Sequence, residues 1–220
     1  MPVAGSLLRP YTFRMNDPRL HAPATQRNSA AILAILKRVL PRSGTVLELN
    51  SGSGEHAVLF ATELSTIQWQ PSDIDPAALA SIEARGNDAA LPNLFPPCTV
   101  DATHQDWPVR QAAAVVSINM IHIAPWAACL GLLDGAARIM EPGTGTLYLY
   151  GPFKRNDRHT APSNEQFDGS LRARNPQWGI RDLETIISEA ESRGLHCDEI
   201  VEMPANNLSV IFRRTTPAIR

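Results

Sequence analysis

At 220 residues the chain is long enough to bury one α/β core and too short for two ordinary domains with a linker. Its 44% apolar and 19% charged residues exclude a disordered polymer, and a net charge of −2 gives no overall pull toward nucleic acid or an anionic membrane. No apolar run approaches the length of a bilayer span, so no membrane partner is expected.

Residues 1–24 mix Pro, Arg and His without periodicity and are expected to be irregular, ahead of a single domain over residues 25–215. Residues 1–10 lack a charged segment followed by an apolar one, so a secretion signal is not expected and a cytoplasmic location is. Cys98, Cys129 and Cys197 are odd in number and widely spaced, as reduced thiols would be. The six His are scattered and no metal-ligand spacing occurs, so no metal is expected.

The first predicted helix carries Ile32, Leu33, Ile35, Leu36, Val39 and Leu40 at helical spacing and stops at Pro41, with Asn28 or Ser29 as its expected N-cap. Arg27 and Asn28, at this helix start, either face solvent or reach a ligand. An apolar, β-prone run over residues 45–49 then ends in Asn50-Ser51-Gly52-Ser53-Gly54, and helix-compatible residues begin at Glu55. Strand, tight glycine turn, helix is the opening of a nucleotide-binding βαβ unit, in which Gly52 and Gly54 let a ligand approach the backbone. The G-x-G-x-x-G fingerprint fails, because Ala57 stands at its last position. An acid-x-G-x-G-x-G reading fits, with Glu48 as the acid and Asn50 replacing the first glycine. Asn is the side chain that best tolerates left-handed backbone there. An ordinary glycine turn between core elements is the alternative.

A short strand over residues 67–70 runs into Pro71-Ser72-Asp73-Ile74-Asp75-Pro76. An acid at the end of the second strand of such a unit accepts ribose hydroxyls, which is the expected role of Asp73. Asp75 reads as the N-cap of the next helix, with Pro76 at its first position. Removal of Asp73 is expected to weaken ligand binding with little effect on stability. The third strand, around residues 98–100, ends in Asp101-Ala102-Thr103, where Asp101 either meets a ligand amino group or makes its own turn. Residues 113–118 form a continuous apolar strand followed by Asn119-Met120-Ile121-His122, and residues 146–150 form a fifth strand after the Glu141-Pro142-Gly143 turn. The polar stretch over residues 151–164 carries Lys154, Arg155, Arg158 and His159. It is expected to be a mobile loop that covers an anionic substrate, a solvated surface loop being the alternative. Helices over about residues 164–172 and 183–193 precede two closing antiparallel strands, near residues 197–202 and 208–213. The fold class expected is α/β, a Rossmann-like, doubly wound, seven-stranded sheet, mostly parallel with an antiparallel C-terminal strand.

With Glu48, Gly52, Gly54, Asp73-Ile74-Asp75-Pro76, Asp101-Ala102 and Glu141-Pro142-Gly143 in order, the chain resembles the class I S-adenosylmethionine (SAM)-dependent methyltransferases. A finer resemblance, to a methyltransferase-like family of unknown function in bacteria and animals, rests on residues 47–56, 69–73, 119–123, 151–154 and 203–208. The resemblance implies the fold and SAM binding, with S-adenosylhomocysteine (SAH) as product. The cofactor set it implies is Arg27, Asn28, Glu48, Asn50, Ser51, Gly52, Gly54, Asp73, Ile74, Asp101, Ala102 and Asn119. It names no substrate. A small-molecule acceptor methylated on O or N is expected, without nucleic acid, and a homodimer is left open. His122, following the fourth strand, is the candidate base and Asn119 could orient the acceptor. Two other classes compete. One is a non-catalytic SAM-binding adaptor, and the other is an NAD(P)-dependent oxidoreductase using Tyr150 and Lys154, whose intervening Gly151 and Pro152 argue against the helical spacing that pair requires.

Overall fold

Residues 17–216 are described by the structure, a computed structural model. In chain order the larger elements are α1 (Pro23–Val39), β1 (Gly44–Leu49), α2 (Glu55–Glu63), β2 (Ile67–Asp73), α3 (Pro76–Ala89), β3 (Cys98–Thr99), β4 (Ala114–Ile118), α4 (Trp126–Ile139) and β5 (Thr146–Gly151). A small hairpin follows, β6 (Lys154–Arg155) with β7 (Arg158–His159). The chain closes with α5 (Pro162–Arg174), α6 (Leu183–Glu191), β8 (Leu195–Met203) and β9 (Asn207–Arg214). The seven-stranded sheet runs β3-β2-β1-β4-β5-β9-β8. Strands β1 to β5 are parallel, and β9 lies antiparallel to both β5 and β8. This is the expected doubly wound architecture.

The sheet buries both faces because successive residues of its central strands feed different cores. Leu47, Leu49, Val115 and Leu147 pack with Cys129, Leu132 and Ala136 of α4 and with Ile186 of α6. Val46, Val116 and Tyr148 pack with Ile32 and Leu36 of α1 and with Phe60 of α2. Crossover after β1 reverses the direction in which the sheet grows, since β2 and β4 flank it on opposite sides. The crevice beyond the carboxyl ends of such strands is where open α/β sheets take ligands.

Two local expectations need correction. The first helix begins at Pro23, and its N-cap position, Ala22, has no side-chain cap. Proline pre-sets the helical φ at the first turn, so the helix gains residues before Asn28. Asn28 is therefore a buried mid-helix residue, not a cap. Residues 151–164 are not a bare loop either: they hold the β6–β7 hairpin, and Phe153 is fully buried against the core.

Candidate functional site

The turn after β1 is built from left-handed backbone. Asn50 has φ 60°, Gly52 57° and Gly54 81°, so the Asn at the first glycine position does adopt the conformation for which it is suited. Serines stitch the turn to β2. The Ser51 amide donates to the Ser72 carbonyl at 2.9 Å, and the Ser72 hydroxyl donates to the Glu48 carbonyl at 2.7 Å. The two glycines answer different demands. A Cβ on Gly52 would meet nothing within 4 Å, whereas one on Gly54 would sit 2.9 Å from the Ile82 Cα in α3. Gly54 thus permits helix packing, and Gly52 leaves the backbone open to the crevice.

Asp73 ends β2 directly opposite. Its buried carboxylate accepts the Gly52 amide at 2.9 Å and the amides of Ile74 and Asp75 at 2.8 and 3.0 Å. It is therefore a structural anchor of the glycine turn, a role that sequence reasoning missed. Asp75 caps α3 through the Ala77 amide, as expected. Ile74 beside it is 59% exposed, an unusual position for a large apolar side chain.

A cavity of about 350 Å³ opens at this rim. One side is Leu49, Asn50, Asp73 and Ile74, and a second is the stretch from Val100 to Thr103. Met120, Ile123, Ala124, Pro125 and Ala128 after β4 close the floor, with Trp178 from the α5–α6 connection at the edge. Asp101 lines the cavity and also makes its own turn, accepting the Thr103 amide and hydroxyl at 2.8 and 2.7 Å. The hydroxyl bond of Thr103 is the main influence holding this carboxyl below its usual range. Apolar walls with a few fixed polar groups are the usual make-up of a small-molecule site.

Other candidates lie away from this cavity. Arg27 is exposed. Asn28 Oδ1 meets His56 Nε2 at 3.0 Å, and the His56 ring stacks on Phe60 with centroids 5.1 Å apart. Burial pushes His56 down to about 4, so the imidazole is neutral in that network. Glu48 is turned from the cavity into the core, where it accepts the Trp69 indole N–H at 2.9 Å. Burial pushes this carboxyl up to about 7.

His122 is also buried, and among the described residues neither ring nitrogen has a hydrogen-bond partner. Its ring stands edge-on to Phe153 at 5.3 Å and packs against Gly151, where a Cβ would come within 2.4 Å of Nε2. Burial, aided by the nearby Arg181 charge, pushes it down to about 3. It does not line the cavity. Asn119 precedes it with φ 63°, its amide donating to the Tyr150 carbonyl at 2.8 Å.

Of the four cationic candidates on the hairpin, two are engaged. Lys154 Nζ lies 3.4 Å from Asp157, and His159 Nε2 lies 3.5 Å from Asp168. Arg155 and Arg158 are exposed, and Arg155 borders a second, polar cavity of about 400 Å³ with Thr160, Glu202, Asn206 and Asn207. Tyr150 and Lys154 stand on separate strands, without the helical spacing of an oxidoreductase pair. Among the described residues there is no cluster of His, Cys, Asp and Glu able to hold a metal ion, and no helix long and apolar enough to cross a membrane. Met120 and Ile123 lie in a stretch that carries the resemblance without an assigned role, and Ala124, Pro125, Ala128 and Trp178 were not anticipated. Their only signal was apolar composition next to turns, which core residues share.

Several solved structures that superpose on this fold are methyltransferases. The apo SAM-dependent methyltransferase SibL superposes with a TM-score of 0.72 at 21% identity, over 88% of this chain and 56% of that one. An O-methyltransferase family protein from Burkholderia thailandensis gives 0.76 at 16% identity, over 88% and 58%. Human N-acetylserotonin methyltransferase in complex with SAM gives 0.72 at 15% identity, over 88% and 53%. The chain therefore spans little more than half the length of these proteins. A family model described as a protein of unknown function (DUF938) matches residues 19–214. The chain belongs to that family, and its fold is that of the class I SAM-dependent methyltransferases.

Proposed function

We propose that the protein binds SAM in the cavity at the ends of β1 to β4 and transfers its methyl group to O or N of a small-molecule acceptor. The observation that carries this reading is the pairing of an open Gly52 backbone with a buried Asp73 carboxylate across the crevice. The residues fit the cofactor. Exposed Ile74 and the side chains of Val100, Met120 and Ile123 offer an apolar slot for a purine, with Asp101 and Ala102 at its rim. Asp73 retains unused lone pairs for ribose hydroxyls after its three backbone bonds.

SAM, when bound, supplies a methyl group on a sulfonium, an electrophile that needs no metal. The chain's own residues then have to align an acceptor and exclude water. Asn119 at the end of β4 and the second cavity beside Arg155 provide polar groups on the acceptor side, with Arg158 on the same hairpin. Lys154 and His159 hold the hairpin through Asp157 and Asp168 rather than presenting free charge. His122 is neutral, but burial and the Arg181 charge make it a weak base, and it reaches an acceptor only if the Gly151–Phe153 wall moves. Isothermal titration with SAH, SAM and NADH tests the reading. SAM and SAH should bind and NADH should not, and a protein that binds neither SAM nor SAH is not a methyltransferase. SAM binding without methyl transfer to any acceptor in a metabolite extract would favour the adaptor reading.

A further inference from the structure

Arg181 lies at the start of the approach to α6 and carries none of the sequence motifs. Its Nε donates to the Ile121 carbonyl at 2.9 Å, and its Nη2 donates to the carbonyls of Ala124 at 2.6 Å and Gln177 at 2.9 Å. Its guanidinium also lies over the Trp126 ring, 5.7 Å from the centroid. All three acceptors are backbone carbonyls, so the half-buried charge is spent on fixing main chain rather than on a carboxylate. Those carbonyls belong to two different walls of the cavity: residues 121–124 after β4, and the stretch that carries Trp178. The same residue reaches the acceptor side, because its own carbonyl accepts the Lys154 amide of β6 at 2.9 Å.

Two further bonds fix the Trp178 wall. The Gly179 amide donates to the His122 carbonyl at 2.9 Å, and the Ile180 amide donates to Asp168 Oδ1 at 2.6 Å. The first of these links the same two walls at one point, and the second ties the stretch to α5. Arg181 binds two carbonyls of the β4 turn and one of the Trp178 stretch with a single rigid group, so it adds three contacts to that one bond in setting the distance between the walls.

We propose that Arg181 is the positioning residue of the cofactor cavity: its guanidinium clamps the post-β4 wall to the Trp178 wall and so sets the width of the nucleoside slot. The proposal rests on the reading that the cavity takes the nucleoside of SAM. It deepens that reading by making the α5–α6 connection part of the cofactor site.

The test compares ligand-free wild type, Arg181→Met and Arg181→Lys by hydrogen exchange, then titrates each with adenosine and with SAH. Methionine keeps the apolar stem over Trp126 and removes every donor, whereas lysine keeps the charge but cannot span three carbonyls. In Arg181→Met, exchange over residues 120–126 and 175–182 should quicken by about tenfold or more while β1, β4 and β5 stay protected. Adenosine and SAH should lose affinity by the same factor, about tenfold or more, because the damage is confined to the slot they share. Arg181→Lys should recover part of both losses. Unchanged exchange over residues 120–126, equal SAH affinity in Arg181→Met, or loss of protection throughout the sheet would each overturn the proposal. If wild type binds neither adenosine nor SAH, the cofactor reading fails, and the exchange comparison still decides whether Arg181 is the clamp.

Discussion

Replacing Asp73 should unsettle the protein even without a ligand. The sequence suggests a carboxylate free to bind ribose, whose removal would spare stability. In the structure it satisfies three main-chain amides, those of Gly52, Ile74 and Asp75. Hydrogen bonds to a charged group contribute about 1.5–3 kcal/mol each, which would give roughly 5–9 kcal/mol if nothing replaced them. Ile74 and Asp75 are exposed, so their amides rehydrate in Asp73→Ala. The Gly52 amide and the turn it anchors are left without a partner, for a net loss of about 2–4 kcal/mol. In a domain of this size each kcal/mol lowers Tm by about 2–4 °C, so Asp73→Ala should melt roughly 5–15 °C below wild type. Asp73→Asn should fall about as far, since its amide oxygen still serves the Ile74 and Asp75 amides, which water can also satisfy, while its NH2 confronts the Gly52 N–H. Calorimetry of the ligand-free variants measures both. An Asp73→Ala protein that melts within about 2 °C of wild type would refute the anchor, and ribose binding would then be the carboxylate's only role.

The two glycines should separate in the same assay: Gly54→Ala should lose roughly 2–5 kcal/mol, from left-handed strain plus the clash with Ile82, while Gly52→Ala should lose about 1–2 kcal/mol and chiefly SAH affinity. Equal Tm losses in the two variants would contradict that division. Glu48 should produce a pH-dependent difference between wild type and Glu48→Gln. Its folded-state pKa of about 7 lies above the ordinary 4.5, so the stability it contributes is complete below about pH 4.5 and is lost as pH rises through 7. Denaturant melts at pH 5 and pH 8 should therefore show Glu48→Gln gaining on wild type by up to roughly 3 kcal/mol at the higher pH, and a constant difference would rule out the buried carboxyl as the cause. On the hairpin, Arg155→Ala should impair acceptor use with SAH affinity held within about threefold and Tm nearly unchanged, because an exposed arginine contributes little to stability. Parallel loss of SAH binding would place Arg155 outside the acceptor site.

The legible part of this molecule is the part in which one local rule decides the conformation. Left-handed backbone at Asn50, Gly52 and Gly54, the Asp75 cap and the strand order all follow from short-range preferences that residue type reports directly. The hairpin over residues 154–159 was illegible because its strands are two residues each and its register is set by distant partners. Asp182 receives the Asp157 amide at 2.7 Å, and Glu184 receives that of Asn156 at 2.8 Å. The same distance in sequence hid Arg181, whose three acceptors lie on two segments.

That asymmetry bears on what the site can recognise. The half contributed by β1, β2 and their turns, the proposed cofactor side, is fixed by local chemistry. The other half is assembled from the hairpin, the α5–α6 connection and the corner between β8 and β9. There Ala205 and Asn206 take left-handed backbone, and the buried Asn164 side chain donates to the Asn206 carbonyl at 3.0 Å. Left-handed backbone at a residue such as Ala costs about 1–2 kcal/mol and persists only where the surroundings over-determine it. The polar cavity beside Arg155, Asn206 and Asn207 therefore has a wall whose shape is held by tertiary contacts, not by turn preference. If that cavity takes the acceptor as proposed, a wall so held favours matching to Arg155, Glu202 and the two asparagines over loop closure.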